Sequence, residues 1–147
     1  MASLIPDISL QGRWWWDALA VIERFGSGAP WESVAGYSRV VVVGDRVLVA
    51  GTTATLPDGE VAGIGDAGAQ ARQAIVNIEA ALMRVGATLA DVVRTRMYVT
   101  DISRWEEVAR AHGQAFGAAP PVTSMVQVAA LIDPRMLVEI EAEAIRA

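Results

Sequence analysis

Apolar and polar residues alternate most cleanly in two runs joined by a tight break. Ser38 to Val43 and Arg46 to Thr52 are rich in β-branched residues, and Gly44-Asp45 between them fits a two-residue hairpin. Pro57-Asp58-Gly59 is the next turn signal. The period then changes from two to 3.6. Ala71, Ala74, Ile75, Ile78, Ala81, Leu82 and Val85 recur on one helix face, and Gly86 follows where a C-terminal cap belongs. Val92 to Thr100 predicts a strand, and Ser103-Arg104-Trp105-Glu106 is a capping-box pattern opening a second helix. That helix places Trp105, Val108, Ala109, His112 and Phe116 roughly on one side. Pro120-Pro121 forces an extended entry into the alternating run Pro121 to Val128, and Leu137 to Ala142 alternates again. The order β-β-α-β-α-β-β predicts an α+β fold, a mostly antiparallel sheet with two helices packed on one face.

Residues 1–35 do not share this pattern. Leu4-Ile5-Pro6 and Trp14-Trp15-Trp16 precede an apolar stretch from Ala18 to Phe25 and the breaker Gly26-Ser27-Gly28-Ala29-Pro30. The segment reads as an N-terminal extension that packs on the surface or belongs to a misassigned start. A partner- or membrane-binding segment is the sharper alternative, but the basic face of such helices is missing. The expected division is residues 1–35 as extension and 36–147 as the single folded domain.

Composition narrows the function. A chain of 147 residues with 53% hydrophobic and 20% charged residues builds a core. Its apolar surplus points to an oligomer that hides surface against its own copies. The net charge of −5 and the absence of a Lys/Arg cluster argue against nucleic-acid binding. Without Cys there are no disulfides, thiolate nucleophiles or sulfur ligands, and one His without a carboxylate cluster makes a metal site unexpected. No cofactor is implied. No apolar run approaches the roughly 20 residues of a membrane span, and the N-terminus lacks a secretory pattern, so a cytoplasmic location is expected.

Several short matches carry a resemblance over about residues 36–147: Gly36-Tyr37-Ser38, Val49-Ala50-Gly51, Gln70-Ala71-Arg72-Gln73-Ala74 with Asn77-Ile78, Asp91-Val92-Val93 leading to Tyr98-Val99-Thr100-Asp101, and Val138-Glu139-Ile140-Glu141-Ala142. In this order and spacing the chain resembles the RidA (YjgF) family of trimeric enamine/imine deaminases. The resemblance implies a RidA/chorismate mutase-like homotrimer with a cleft between subunits, lined by a tyrosine, a serine, an asparagine, a carboxylate-binding arginine and a water-positioning glutamate. Tyr37 and Glu139 retain two of these. Ala50 stands at the serine, Ala109 at or near the asparagine, and Thr123 at the arginine.

The arginine matters most. A guanidinium fork holds a carboxylate by two charge-assisted hydrogen bonds of roughly 1.5–3 kcal/mol each, whereas Thr123 offers one neutral hydroxyl. The chain therefore reads as a divergent member, weak or inactive on 2-aminoacrylate. The expected function is binding of a small, weakly polar metabolite in the clefts. Glu139 would act as acid/base in enamine or imine hydrolysis or tautomerisation, Tyr37 would orient the substrate, and Thr52, Thr123 and Ser124 would add neutral hydrogen bonds. A non-catalytic binding or regulatory trimer is the alternative. An endoribonuclease conflicts with the acidic balance and lone histidine. Glu139 and Glu141 also fit the exposed face of a last strand, His112 fits a partly buried helix position, and Arg94 and Arg96 fit either ion pairing with the acidic helices or a substitute cationic pocket.

Overall fold

In the computed structural model, residues 21–146 are described. The elements are β1 (Ile22–Phe25), α1 (Pro30–Ala35), β2 (Val40–Val43), β3 (Arg46–Thr52), α2 (Ala67–Met83), β4 (Val92–Val99), α3 (Trp105–Phe116), β5 (Val122–Gln127) and β6 (Val138–Ile145). They form one six-stranded sheet in the order β1-β2-β3-β6-β4-β5. All neighbours are antiparallel except β4 and β5, which run parallel across the α3 connection. This is the expected α+β fold.

The alternation in the strands sorts the two faces. Val40, Val42, Val47, Val49, Val138, Ile140, Ala142 and Ala144 are buried and join Ala71, Ala74, Ile75, Ile78 and Leu82 of α2 and Val108, Ala111 and Phe116 of α3 in one core. Burying such side chains contributes roughly 25 cal/mol per Å² of apolar surface. The opposite face carries Leu48, Glu139, Glu141, Glu143, Arg94, Arg96 and Tyr98, placed there by register.

Local chemistry shifts several boundaries. The β2–β3 hairpin turns at Gly44, whose φ of 62° suits the first position of a two-residue turn. Asp66 caps α2 by accepting from the Ala69 amide at 2.8 Å, so the helix starts a turn before its first periodic alanine. The expected capping box at Ser103 does not form. Asp101 accepts from the Ser103 amide and hydroxyl instead, and a 3₁₀ turn at Ile102–Arg104 precedes α3. Residues 22–25, within the stretch expected as an extension, pair with β2 as an edge strand. Their Ile22-Glu23-Arg24-Phe25 run is too short to show a period. Trp14 to Trp16 lie outside the described residues.

Candidate functional site

Glu139 lies at the centre of one wall. Pairing between β3 and β6 slips between Val49 and Thr52, and this bulge brings the Gly51 backbone against the Glu139 side chain. A methyl group on Gly51 would sit 2.9 Å from Glu139 Cδ and overlap Oε1. Glycine is required here by close approach, since its φ is not in the left-handed region. Among the described residues no donor hydrogen-bonds the Glu139 carboxylate. Half-burial raises its pKa above the ordinary carboxylate range; the like charge of Glu141 adds to this and the positive charge of Arg39 opposes it.

Arg39 ties the rest of this wall together. Its Nη1 donates to the Gly51 carbonyl at 2.8 Å and to Thr52 Oγ1 at 3.0 Å, with a longer contact to the Ala50 carbonyl at 3.4 Å. Its Nη2 reaches the Tyr37 hydroxyl at 3.4 Å, and the guanidinium lies 5.7 Å from the Tyr37 ring centroid. Thr52, buried, donates its own hydroxyl hydrogen bond to the Ala50 carbonyl at 2.7 Å. Tyr37 itself follows α1, which Gly36 ends in the left-handed conformation and whose Glu32 carboxylate accepts from the Ser27 and Gly28 amides.

Two amides from α2 fix the strands that carry the wall. The fully buried Gln70 donates to the Arg135 carbonyl at 2.8 Å and accepts from the Leu137 amide at 2.7 Å, two residues before Glu139. Asn77 donates to the carbonyls of Thr53 and Thr55, just past the bulge, at 2.9 Å each. Satisfied amides of this kind, Gln70 buried and Asn77 half-buried, hold one geometry. Gln70 and Asn77 thus act as scaffold for Gly51 and Glu139.

The second wall is on the other side of the sheet. Thr95 of β4 is buried, lies 2.9 Å from His112 Nε2 and donates to Thr123 Oγ1 of β5 at 2.8 Å. Thr123 is exposed at the sheet edge and follows Thr95 onto the helix-covered face by parallel register. His112 packs on Phe116 with ring centroids 4.6 Å apart, and burial pushes its pKa below the ordinary histidine value. Ala109 lies half-buried one turn earlier on α3.

The sequence-predicted residues therefore divide. Tyr37, Thr52, Ala50 and Glu139 belong to the wall that Arg39 ties together, while Thr123, three register steps from the Tyr98–Glu139 pair, is on the opposite, helix-covered face, and Ala109 is on α3 itself. Ser124, exposed, alternates away from Thr123 and pairs in register with Arg96. Arg94 and Arg96 meet Glu143 and Glu141 of the neighbouring strand, not the acidic helices, because cross-strand partners lie closer than any helix on that face. Neither joins Glu139. Glu141 also accepts from the Tyr98 hydroxyl at 3.0 Å. Arg39 is the residue that sequence reasoning missed; its only signal was a charge two residues after Tyr37, just ahead of β2.

A fold and a site this specific invite comparison. The profile described as Endoribonuclease L-PSP matches residues 27–146. The chain belongs to the RidA (YjgF) family. A crystal structure of a YjgF/YER057c/UK114 family member from Mycobacterium tuberculosis superposes with a TM-score of 0.76 at 56% identity, covering 85% of this chain and 99% of that one. An uncharacterized protein of Streptomyces coelicolor is 39% identical over 85% of this chain and 92% of its own length. A RutC family protein of Pyrococcus abyssi is 33% identical over 80% and 91%. In this RidA family chain the profile begins ahead of Tyr37 and takes in α1 as well as the sheet from β2 onward.

Proposed function

We propose that this protein is a homotrimer whose inter-subunit clefts bind a small, weakly polar metabolite, with Glu139 as the acid/base group for hydrolysis or tautomerisation of an enamine, imine or related carbonyl compound. The observation that carries this reading is the half-buried Glu139 carboxylate, raised in pKa and without a hydrogen-bond donor among the described residues. A structural carboxylate in that setting would be paired, as Glu141 and Glu143 are. One with no donor among the described residues, on the Arg39 wall that also holds Tyr37, is placed to exchange protons with a ligand, and general acid/base groups work best with pKa values near the working pH.

The split between faces supports the oligomer. One copy cannot bring Thr123 to Glu139 across its own sheet, but a second copy docking its β5 edge against the first can. The open face exposes Leu48, Val122 and Val126 beside its ion pairs, a mixed surface suited to burial against another subunit. A head-to-tail contact of this kind closes into a ring when the rotation fits.

The test is turnover. Neutral imines and 2-aminoacrylate are offered to the wild type and to Glu139→Gln, with product followed by ammonia release. The neutral compounds should turn over faster than 2-aminoacrylate, and the variant should lose at least about 100-fold. Equal turnover by the variant would remove Glu139 from the chemistry. Binding of a neutral ligand without turnover, weakened in Glu139→Gln, would favour the regulatory reading.

A further inference from the structure

We propose that Thr123 is the ligand-binding hydroxyl of the second wall, and that His112 aims it through Thr95 so that the cleft selects a neutral acceptor, a carbonyl or imine, in place of a carboxylate. This rests on the cleft reading above and names what the cleft selects.

Proton counting carries the argument. Thr95 has one hydroxyl proton, and the geometry gives it to Thr123 Oγ1 at 2.8 Å. Its 2.9 Å contact with His112 Nε2 must then run the other way, with Nε2–H donating to Thr95 Oγ1. The ring is thereby fixed as the neutral tautomer protonated at Nε2. Burial of the ring, packed 4.6 Å from Phe116, favours that neutral form, and no charged side chain among the described residues perturbs it.

Thr123 accepts from Thr95, so its own proton points away from that bond. Thr123 lies exposed on β5, the edge strand of the sheet, where the proposed inter-subunit cleft would meet it. A hydroxyl held this way donates. One neutral donor matches a carbonyl oxygen or an imine nitrogen; it does not offset the desolvation of a carboxylate, which needs charge or several donors. His112 touches no ligand in this scheme. It is a positioning residue, acting through Thr95.

Two measurements test this on the full-length protein. Long-range ¹⁵N spectra of the His112 ring at pH 7 should show the Nε2–H tautomer. Pyruvamide and pyruvate, which share a 2-oxo group and differ in charge, are then titrated and followed by chemical-shift perturbation. Pyruvamide should bind more tightly. Thr123→Val should weaken it about five- to tenfold, the scale of one neutral hydrogen bond, and Thr123→Ser should restore it. His112→Gln, which keeps a side-chain N–H donor, should weaken it less than His112→Phe. An Nδ1–H tautomer, preference for pyruvate, or a Thr123→Val affinity equal to wild type while Glu139→Gln lowers it would overturn this inference and leave the cleft standing. Perturbations mapping to neither Glu139 nor Thr123 would overturn both.

Discussion

The two faces of the sheet treat polar groups in opposite ways. On the open face Arg46, Arg94 and Arg96 ladder with Glu141 and Glu143, and only Glu139 at the end of that row lacks a hydrogen-bond donor among the described residues. On the helix-covered face the surroundings are apolar, and polar groups that enter are neutral and bonded: Thr95 and His112 are joined to each other and to the edge residue Thr123, and Gln70 to the Arg135 carbonyl and Leu137 amide. Charge is affordable where water or a neighbouring subunit can reach it; under the helices only neutral, satisfied groups persist. The contrast explains why the carboxylate proposed as the acid/base group and the hydroxyl proposed as the neutral donor come from different faces.

The sharpest way to break that contrast, after the loss of turnover expected for Glu139→Gln, is to move the carboxylate without changing its chemistry. Gly51→Ala places a methyl where Glu139 Oε1 sits. The side chain must swing out, and turnover should fall roughly 10- to 100-fold, the scale of a misplaced catalytic group, while circular dichroism stays native. Unchanged turnover would show that the bulge does not set the position of Glu139.

Arg39→Met probes the same wall more gently. It removes the donor to the Gly51 carbonyl and Thr52 and should cost about 1–3 kcal/mol in denaturant unfolding. Because Arg39 is the group that opposes the rise in the Glu139 pKa, the carboxyl should titrate still higher in ¹³C spectra. A Glu139 titration unmoved by Arg39→Met would mean that the two side chains do not share a pocket.

The helix-covered face gives the smallest effect. His112 is buried and its folded pKa lies below the unfolded value of about 6.5. Below that pH the unfolded chain takes up a proton that the native state refuses, so stability falls as pH drops through the window and is retained above it. The slope contributed by one group is at most about 1.4 kcal/mol per pH unit. His112→Gln should flatten it, and a slope identical in both proteins would show that His112 is not held neutral.

Much of the fold was readable because its elements repeat a simple period. The β2–β3 hairpin, α2, β4, α3 and β6 all announced themselves in apolar spacing. The edge strand β1 did not, since four residues with exposed Ile22 and Glu23 carry no period, and the cap at Asp101 competed with an equally plausible signal at Ser103. For the site, Tyr37 and Glu139 were legible through family resemblance. Arg39 was not, because the carbonyl and hydroxyl it binds lie where the β3–β6 register slips between Val49 and Thr52, and a slip in register leaves no mark in composition. The relay from His112 was hidden for a related reason. Thr95, Thr123 and His112 are far apart in sequence, and only the parallel pairing of β4 with β5 under α3 aligns them.

The central claim is that Glu139 and Thr123 walls from different copies face each other. The chain has no cysteine, so a double variant Tyr37→Cys/Thr123→Cys carries one thiol on each wall and none elsewhere. Treated with a short bis-maleimide reagent at micromolar concentration, it should run on a denaturing gel as a covalent species of three times the 15.6 kDa chain, with each single variant remaining monomeric. A double variant that yields only monomer, or only a link within one chain, would contradict the account.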